Sequence, residues 1–555
     1  MSDSRILRYG RWTILLLTVA CLLHAVATTS LYLISPTELG LVSRLPITFW
    51  IGLAFLGCLW FSCAKGPLKY QVLALVLTVS YVYVAPAVIR TPVWVSESYY
   101  PYGESLLINS QGHLVYRDNA PLVSYQDWPL FLYLASSFKL VTGLADTFIM
   151  KFFPLLTISM YAVVTFLVLR IKLKSSFAVF GAAFLLSSYF TRQQYFGPQG
   201  IAYIFFLLAI LVISRLFFEE NTKKRTLAGL YVFLFMVLML THALTAFMTA
   251  IVVAALYLYL RIFHKKQSVI AARLVLFSVS FFLAYNMFIA PGFFSLSVER
   301  LSEFILDIWQ SGISRELSRI PGSSAQTMSY VTSWSIVFLA GFIAVAQTLY
   351  AIRNIRSNKQ TEREEFSIFP AVWLGLVVLF GVTTVYGSNE AYQRAFMFGL
   401  IPLAYLSVRL LSKKPRILVL VLCGLLFLNI PAQYGSDTYR LATNAVLTGT
   451  SFFVKSISQN ATVLYGFYPH VRYFDPLKNV VFEAIPGTLP FTSVPNSTTV
   501  ERTMFRAEYT IRSDLQHNYY MYFLRQDPFE LVESGIFNRL YDDRGFRLFK
   551  PANAT

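Results

Sequence analysis

Charge is the scarce material in this chain. Only 13% of its 555 residues are Asp, Glu, Lys or Arg, whereas a soluble domain carries roughly a quarter, so a surface solvated on all sides is excluded. Acid is the scarcer sign, at 28 residues against 46 basic ones. Cysteine is nearly missing: Cys21, Cys58, Cys63 and Cys423 all lie in apolar runs without Cys-x-x-Cys spacing, which excludes a disulfide scaffold and a cysteine metal knuckle. No Gly-rich phosphate loop, His-Glu-x-x-His or nucleophile elbow is present, so the common soluble-enzyme signatures are excluded too. What fills the chain is apolar, with 56% AVILMFWYC and 16% aromatic residues. That composition excludes a disordered chain, a collagen and a coiled coil, and places the protein in a bilayer.

A membrane-crossing helix needs about 20 mostly apolar residues. Thirteen such runs occur, at 12–35, 47–64, 70–90, 148–170, 175–191, 199–218, 226–241, 243–263, 269–290, 329–352, 367–387, 394–411 and 415–431. The eighth is divided from the seventh only by the polar knot Thr241-His242-Ala243-Leu244-Thr245. Short cytoplasmic loops collect Lys and Arg. With a cytoplasmic N-terminus the inner segments hold 24 basic and six acidic residues, against ten basic and eleven acidic in the outer segments before residue 432. Merging the pair at Thr241 would put Lys265 and Lys266 outside and break this alternation, so two spans are expected there. The first run, preceded by Arg5, Arg8 and Arg11 and containing Ala25-Val26-Ala27, has an alternative reading as a signal peptide. The later spans keep the same orientation either way.

The expected fold is therefore an all-α polytopic membrane protein of about thirteen transmembrane helices over 1–431, with a small C-terminal α/β domain over 432–555 outside. Apparent strands at Thr462–Phe467, Val480–Glu483 and Phe546–Phe549, and a turn at Asp542-Asp543-Arg544-Gly545, mark that domain. The sequons at Asn460, Asn496 and Asn553 all fall in it, consistent with the outer side. The inner loops carry the whole excess of positive charge, so the net +18 is membrane anchoring and does not indicate nucleic acid.

Two outer loops, 91–147 and 291–328, are long, and long loops in a compact fold usually carry function. The first has an apolar stretch from Pro129 to Leu144, expected to form an interfacial helix over 129–142. It also holds five carboxylates, Glu97, Glu104, Asp118, Asp127 and Asp146. Glu97, in Trp94-Val95-Ser96-Glu97-Ser98-Tyr99-Tyr100, stands just past the third span. A carboxylate there is partly desolvated, which suits a proton acceptor. Each of the five has the alternative of being an ordinary solvated acid.

The pattern resembles the GT-C superfamily of membrane glycosyltransferases, above all its prokaryotic and archaeal members. The stretches that carry the likeness are Gly112-His113-Leu114, Trp128-Pro129-Leu130 and Val141-Thr142-Gly143-Leu144 in the first loop. Further along they are Tyr195-Phe196-Gly197-Pro198-Gln199, the Thr241–Thr245 knot, Tyr392-Gln393-Arg394, Ile401-Pro402-Leu403 and Asn538-Arg539-Leu540-Tyr541-Asp542. The resemblance implies transfer of a sugar from a polyprenyl-phosphate-linked donor to a glycan, lipid or protein acceptor at the outer face of the cell membrane, with a first-loop carboxylate as base. Glu97 and Glu104 are the catalytic candidates. Asp127, Arg192, Gln199, His242 and Arg394 are the substrate-binding candidates, the arginines because a lipid phosphate leaving group needs cationic partners and guanidinium binds phosphate in a fork, and His242 as a group able to bind phosphate or a metal. For the arginines the alternative is snorkelling to lipid headgroups, and for His242 a structural turn. No Asp-x-Asp or Trp-Trp-Asp occurs, no metal ligands are assigned, and a divalent cation is left open. The rival readings are a flippase for lipid-linked saccharides and a non-catalytic membrane scaffold.

Overall fold

The computed structural model of the chain describes residues 3–30, 39–84, 93, 95–114, 125–191, 195–220, 223–295, 297–299, 323–357, 362–384, 391–435, 442–458, 460–464, 471–475, 481–483, 507–514, 516–517, 520, 527, 529, 537–543 and 546–551. Asp118, Arg192, the segment 300–322 of the second long loop, and the sequons at Asn496 and Asn553 lie outside the described residues.

Helices stand where the apolar runs predict them. In chain order they are α1 (Asp3–Ser30), α2 (Ile47–Cys63), α3 (Leu68–Val79), α4 (Tyr99–Gln111), α5 (Leu130–Thr142) and α6 (Asp146–Arg170). Then come α7 (Ser175–Ser188), α8 (Pro198–Phe218), α9 (Lys224–Thr241), α10 (Ala243–Phe263), α11 (Lys265–Phe288) and α12 (Ser324–Arg356). The last are α13 (Glu362–Phe366), α14 (Ile368–Thr384), α15 (Ala391–Leu411), α16 (Pro415–Tyr434), α17 (Asn444–Ser456) and the single turn α18 (Val471–Phe474). Among the described residues nine helices, α6, α8–α12, α14–α16, are long and apolar enough to cross a membrane, which makes this a multi-pass membrane protein. The four other expected spans form shorter apolar helices, Trp12–Ala27, Ile47–Cys63, Leu68–Val84 and Ser175–Ser188. α5 coincides with the expected interfacial helix. The Thr241 knot divides two helices, α9 and α10, as the charge alternation requires.

α7 is the axis of the bundle. Every residue from Ala178 to Ser188 is buried, against α3, α6, α15 and α16. A helix that ends inside a protein leaves carbonyls needing donors. Here Asn429 Nδ2 donates to the carbonyls of Leu186 and Ser187 at 3.0 and 2.9 Å, and Tyr83 Oη donates to Leu186 O at 2.7 Å. At the opposite end of the long helices the few acids meet the many bases. Arg409 pairs with Glu364 at 2.7 Å, His264 with Glu365 at 2.9 Å, and the Lys172 ammonium lies over Phe218 and Phe366.

Among the described residues the C-terminal region carries five strands, β1 (Thr462–Leu464), β2 (Val481–Glu483), β3 (Tyr509–Ser513), β4 (Phe537–Asp542) and β5 (Phe546–Pro551), in the order β2-β1-β3-β5-β4. β1 runs parallel to β2 and β3, and β5 antiparallel to β3 and β4. α17 covers the sheet so closely that a Cβ at Gly449 would stand 2.2 Å from the Phe546 ring. β3 and β4 were not expected from the sequence. β4 is an edge strand with mostly exposed side chains, so it lacks the alternation that reveals a half-buried strand.

Beside β3, the buried Asp527 carboxylate accepts from Arg512 Nε and Nη2 at 3.2 and 3.1 Å, from His517 Nδ1 at 2.9 Å and from the Phe529 N–H at 2.9 Å. The hydrogen bond to Asp527 holds His517 above its ordinary pKa of 6.5 against the opposing effect of burial. Burial works to raise Asp527, but its four donors outweigh it and hold the acid below 3.8. Nearby Asp514 is pushed up by burial. The raised histidine adds stability that is complete below 6.5 and is lost as pH rises through its folded value. The lowered aspartate adds stability that is lost as pH falls below 3.8. β3 amides should thus be better protected at pH 6 than at pH 8.5 in hydrogen exchange corrected for intrinsic rates. Asp527→Asn should shrink that difference, and an unchanged difference in the variant would contradict it.

Candidate functional site

Two acids of the first loop, Glu97 and Glu104, sit on one nearly continuous helical segment. Glu97 lies in the 3-10 turn Ser96–Ser98, which runs directly into α4, and Glu104 lies within α4. Seven residues are two helical turns, so both carboxylates share a face about 10 Å apart along the axis. Their environments differ. Glu97 is half-buried and accepts a hydrogen bond from Ser96 Oγ at 3.2 Å. Glu104 is only 2% exposed, and Gln126 Nε2 donates to its Oε2 at 3.4 Å.

The turn that supplies Gln126, Tyr125–Asp127, brings the other candidates together. The carbonyl of the half-buried Asp127 accepts from Tyr285 Oη at 2.8 Å, at the end of α11. Trp128 packs with Ala243 and Ala290 and stands edge-to-face on Phe293 at 5.2 Å, so the turn lies against the α9–α10 junction where His242 sits. Tyr125 stands beside Tyr100, with ring centroids 5.6 Å apart. Burial, then the neighbouring Tyr195, drives the Tyr125 phenol well above its ordinary pKa, against the Arg394 charge close by. The phenol therefore stays protonated. Arg394, half-buried in the first turn of α15, acts on His242 as well. Burial first, and Arg394 second, push the His242 imidazole down to about 3, so it is neutral at physiological pH. His242 separates the two helices in an extended conformation and caps α10, its Nδ1 accepting from the Thr245 N–H at 3.4 Å.

The segment 195–200 closes another side. The Phe196 N–H donates to Ser98 Oγ at 3.3 Å, tying the turn that bears Glu97 to the start of α8. Gln199, in the first turn of α8, is 3% exposed, and its Nε2 has no hydrogen-bond partner among the described residues. Gly197 allows the approach, since a Cβ there would stand 2.6 Å from the Tyr195 ring. From the C-terminal region, α18 lies on α4, with Tyr473 edge-to-face on Tyr99 at 4.9 Å.

Glu104, Asp127, His242 and Arg394 thus gather around one turn, with Glu97 and Gln199 joined to its flank through Ser98 and Phe196. Asp146 is held elsewhere, by Tyr102 Oη at 2.7 Å and Lys139 Nζ at 2.6 Å. Arg192 lies outside the described residues. Sequence reasoning missed Tyr125, Gln126 and Tyr195. Their one available signal was position, next to Asp127 and inside the Tyr195–Gln199 motif. Among the described residues no three His, Cys, Asp or Glu side chains gather as a metal site.

Solved membrane proteins share this fold. An oligosaccharyltransferase of Archaeoglobus fulgidus, in complex with Zn and sulfate, superposes with a TM-score of 0.53 at 11% identity over 87% of this chain and 73% of that one. The archaeal oligosaccharyltransferase AglB from the same organism, in complex with an inhibitory peptide and a dolichol-phosphate, gives 0.51 at 13% identity over 87% and 74%. ArnT from Cupriavidus metallidurans in the apo state gives 0.51 at 12% identity over 86% and 96%. At these identities the likeness is one of fold, and that fold is the GT-C membrane fold expected from the sequence. No protein-family model and no curated protein matches the chain.

Gly197→Ala should push the Tyr195 ring off Tyr125 and destabilise the purified protein by about 1–3 kcal/mol, as overpacking does. Gly229→Ala, which meets nothing within 4 Å, should leave thermal unfolding unchanged or raise it. Equal melting of the two variants would contradict this packing.

Proposed function

We propose that the protein is a membrane glycosyltransferase that passes a sugar from a polyprenyl-phosphate carrier to an acceptor at the extracytoplasmic face. The observation that carries the reading is the convergence of a first-loop acid pair with a fixed cation and a neutral histidine around Tyr125–Trp128. An acceptor hydroxyl attacks the anomeric carbon and gives its proton to a carboxylate. The bond from that carbon to the phosphate oxygen breaks, and the carrier phosphate keeps the electron pair. Glu97 suits the base, being half-buried and so still open on one side. Glu104, closed off beneath Gln126, supports that turn. Arg394, His242 and Gln199 supply donors for the phosphate, in a setting where desolvation strengthens each hydrogen bond, and Asp127 stands beside them for the sugar. Arg192 is proposed with these donors from its motif alone.

Sidedness rests on the basic residues, which crowd the Glu364–Arg409 end of the bundle and leave the site on the opposite, extracytoplasmic side. The region 432–555 is then an outer domain roofing α4, above a membrane domain of 1–431. The sugar-phosphate lipids of the GT-C resemblance, and the dolichol-phosphate in the AglB complex, favour a polyprenyl carrier. A glycan, lipid or protein acceptor fits equally. No metal step is included, because the described acids do not gather as ligands.

Glu97→Gln should lower kcat for transfer from a polyprenyl-phosphate sugar by about 10²-fold or more, with a smaller loss for Glu104→Gln. Both variants should keep the wild-type melting profile. Full activity in both would remove the proposed base. Lipid translocation into vesicles without any transfer would favour a flippase.

A further inference from the structure

The α9–α10 junction uses an unusual residue as a helix cap. Ser, Thr, Asp and Asn are the favoured N-caps, and each would serve α10 with a side-chain oxygen. His242 serves it with Nδ1 instead, at 3.4 Å from the Thr245 N–H and 3.0 Å from Thr245 Oγ1. A backbone N–H can only donate, so Nδ1 carries no proton, and in a neutral imidazole the proton must be on Nε2. Capping makes no use of Nε2, which forms no hydrogen bond among the described residues. The histidine therefore offers a donor that no ordinary cap could.

We infer that Thr245 is a positioning residue, fixing the His242 ring with its proton on Nε2 as a donor to a phosphate oxygen of the carrier lipid. The inference rests on the glycosyltransferase reading and adds to it a defined tautomer and the residue that sets it. Thr245 is fully buried and its carbonyl accepts from Thr249 Oγ1 at 2.8 Å, and its hydroxyl lies 3.0 Å from Nδ1. The groups facing the junction are Arg394 from α15, Asp127 and Trp128 from the first-loop turn, and Tyr285 from α11. Arg394 is the fixed charge whose field reaches the imidazole, and it opposes a second proton. A permanent cation beside an uncharged N–H donor, at the positive end of α10, suits an anion that presents several oxygens. A second imidazolium charge is not needed, and the site holds its donor pattern across the physiological pH range.

The test measures binding to the full-length protein in detergent micelles, using polyprenyl phosphate, the matching polyprenol and phosphatidic acid. Wild-type protein should bind the polyprenyl phosphate more tightly than either other lipid. His242→Ser keeps a good cap on α10 and so keeps the fold, and should weaken the phosphate about tenfold while leaving polyprenol binding unchanged. Thr245→Val keeps the backbone N–H, and with it the tautomer, but removes the hydroxyl 3.0 Å from Nδ1 that holds the ring; it should weaken the phosphate several-fold, and Thr245→Ser, which restores the hydroxyl, should return it to the wild-type value. Wild-type affinity in both His242→Ser and Thr245→Val would overturn the inference. So would equal weakening of phosphate and polyprenol, or phosphatidic acid bound as tightly as polyprenyl phosphate. Because binding is read without turnover, a failure here is separate from a failure of the transfer reaction.

Discussion

Hydrocarbon does not solvate polar groups, and most of this structure is a consequence of that. Backbone and side-chain polar atoms inside the bilayer need partners within the protein, so functional polarity is pushed to helix ends. Apart from Glu104, which lies within α4, the described site residues stand at helix ends or in the turn Tyr125–Asp127. Gln199 opens α8, His242 divides α9 from α10, Tyr285 closes α11 and Arg394 opens α15. Glu97 stands in the turn that starts α4. Four or more helix termini must meet on one side of the bundle for these residues to converge, and the antiparallel packing of neighbouring helices provides that meeting.

The floor beneath the site obeys the same constraint. α7 stops at Ser188, and its last carbonyls are met by Asn429 and Tyr83. Tyr434 donates to Val82 O, Ser329 to Ala432 O at 2.8 Å and Tyr161 to Gly200 O at 2.8 Å. Each of these bonds runs from a side chain on one helix to a carbonyl on another. They fix helix ends in register where lipid offers no competing partner, so the residues that open α8 and α15 are presented on rigid supports. A site that must hold a phosphate and a carboxylate in one geometry depends on such support.

How much of this was legible in the sequence depends on what is rare. Helix positions could be read because runs of about twenty apolar residues are unmistakable and basic residues mark the loops of one side, which is why the division at Thr241 was recovered. Glu97, His242 and Arg394 stood out because charge is so sparse on their side of the bundle. Tyr125, Gln126, Tyr195 and Thr245 did not, since neutral aromatic, amide and hydroxyl side chains are common at membrane boundaries and their roles come from contacts between distant segments. β3 and β4 were hidden for a different reason, since their pairing with β5, not an alternation of their own, defines them. The difference between Glu97 and Glu104 in burial was equally unreadable, because seven residues separate them and so put both on one helical face.

The central claim is that a lipid phosphate is held where Arg394 and His242 meet the first loop. Cryo-electron microscopy of the full-length protein with polyprenyl phosphate tests it most directly. Phosphate density within hydrogen-bonding distance of both side chains, about 2.7–3.2 Å, with the prenyl chain leaving between helices into the bilayer, is the predicted result. A headgroup bound at the Glu364–Arg409 end of the bundle, or none at the Arg394 side, would contradict it.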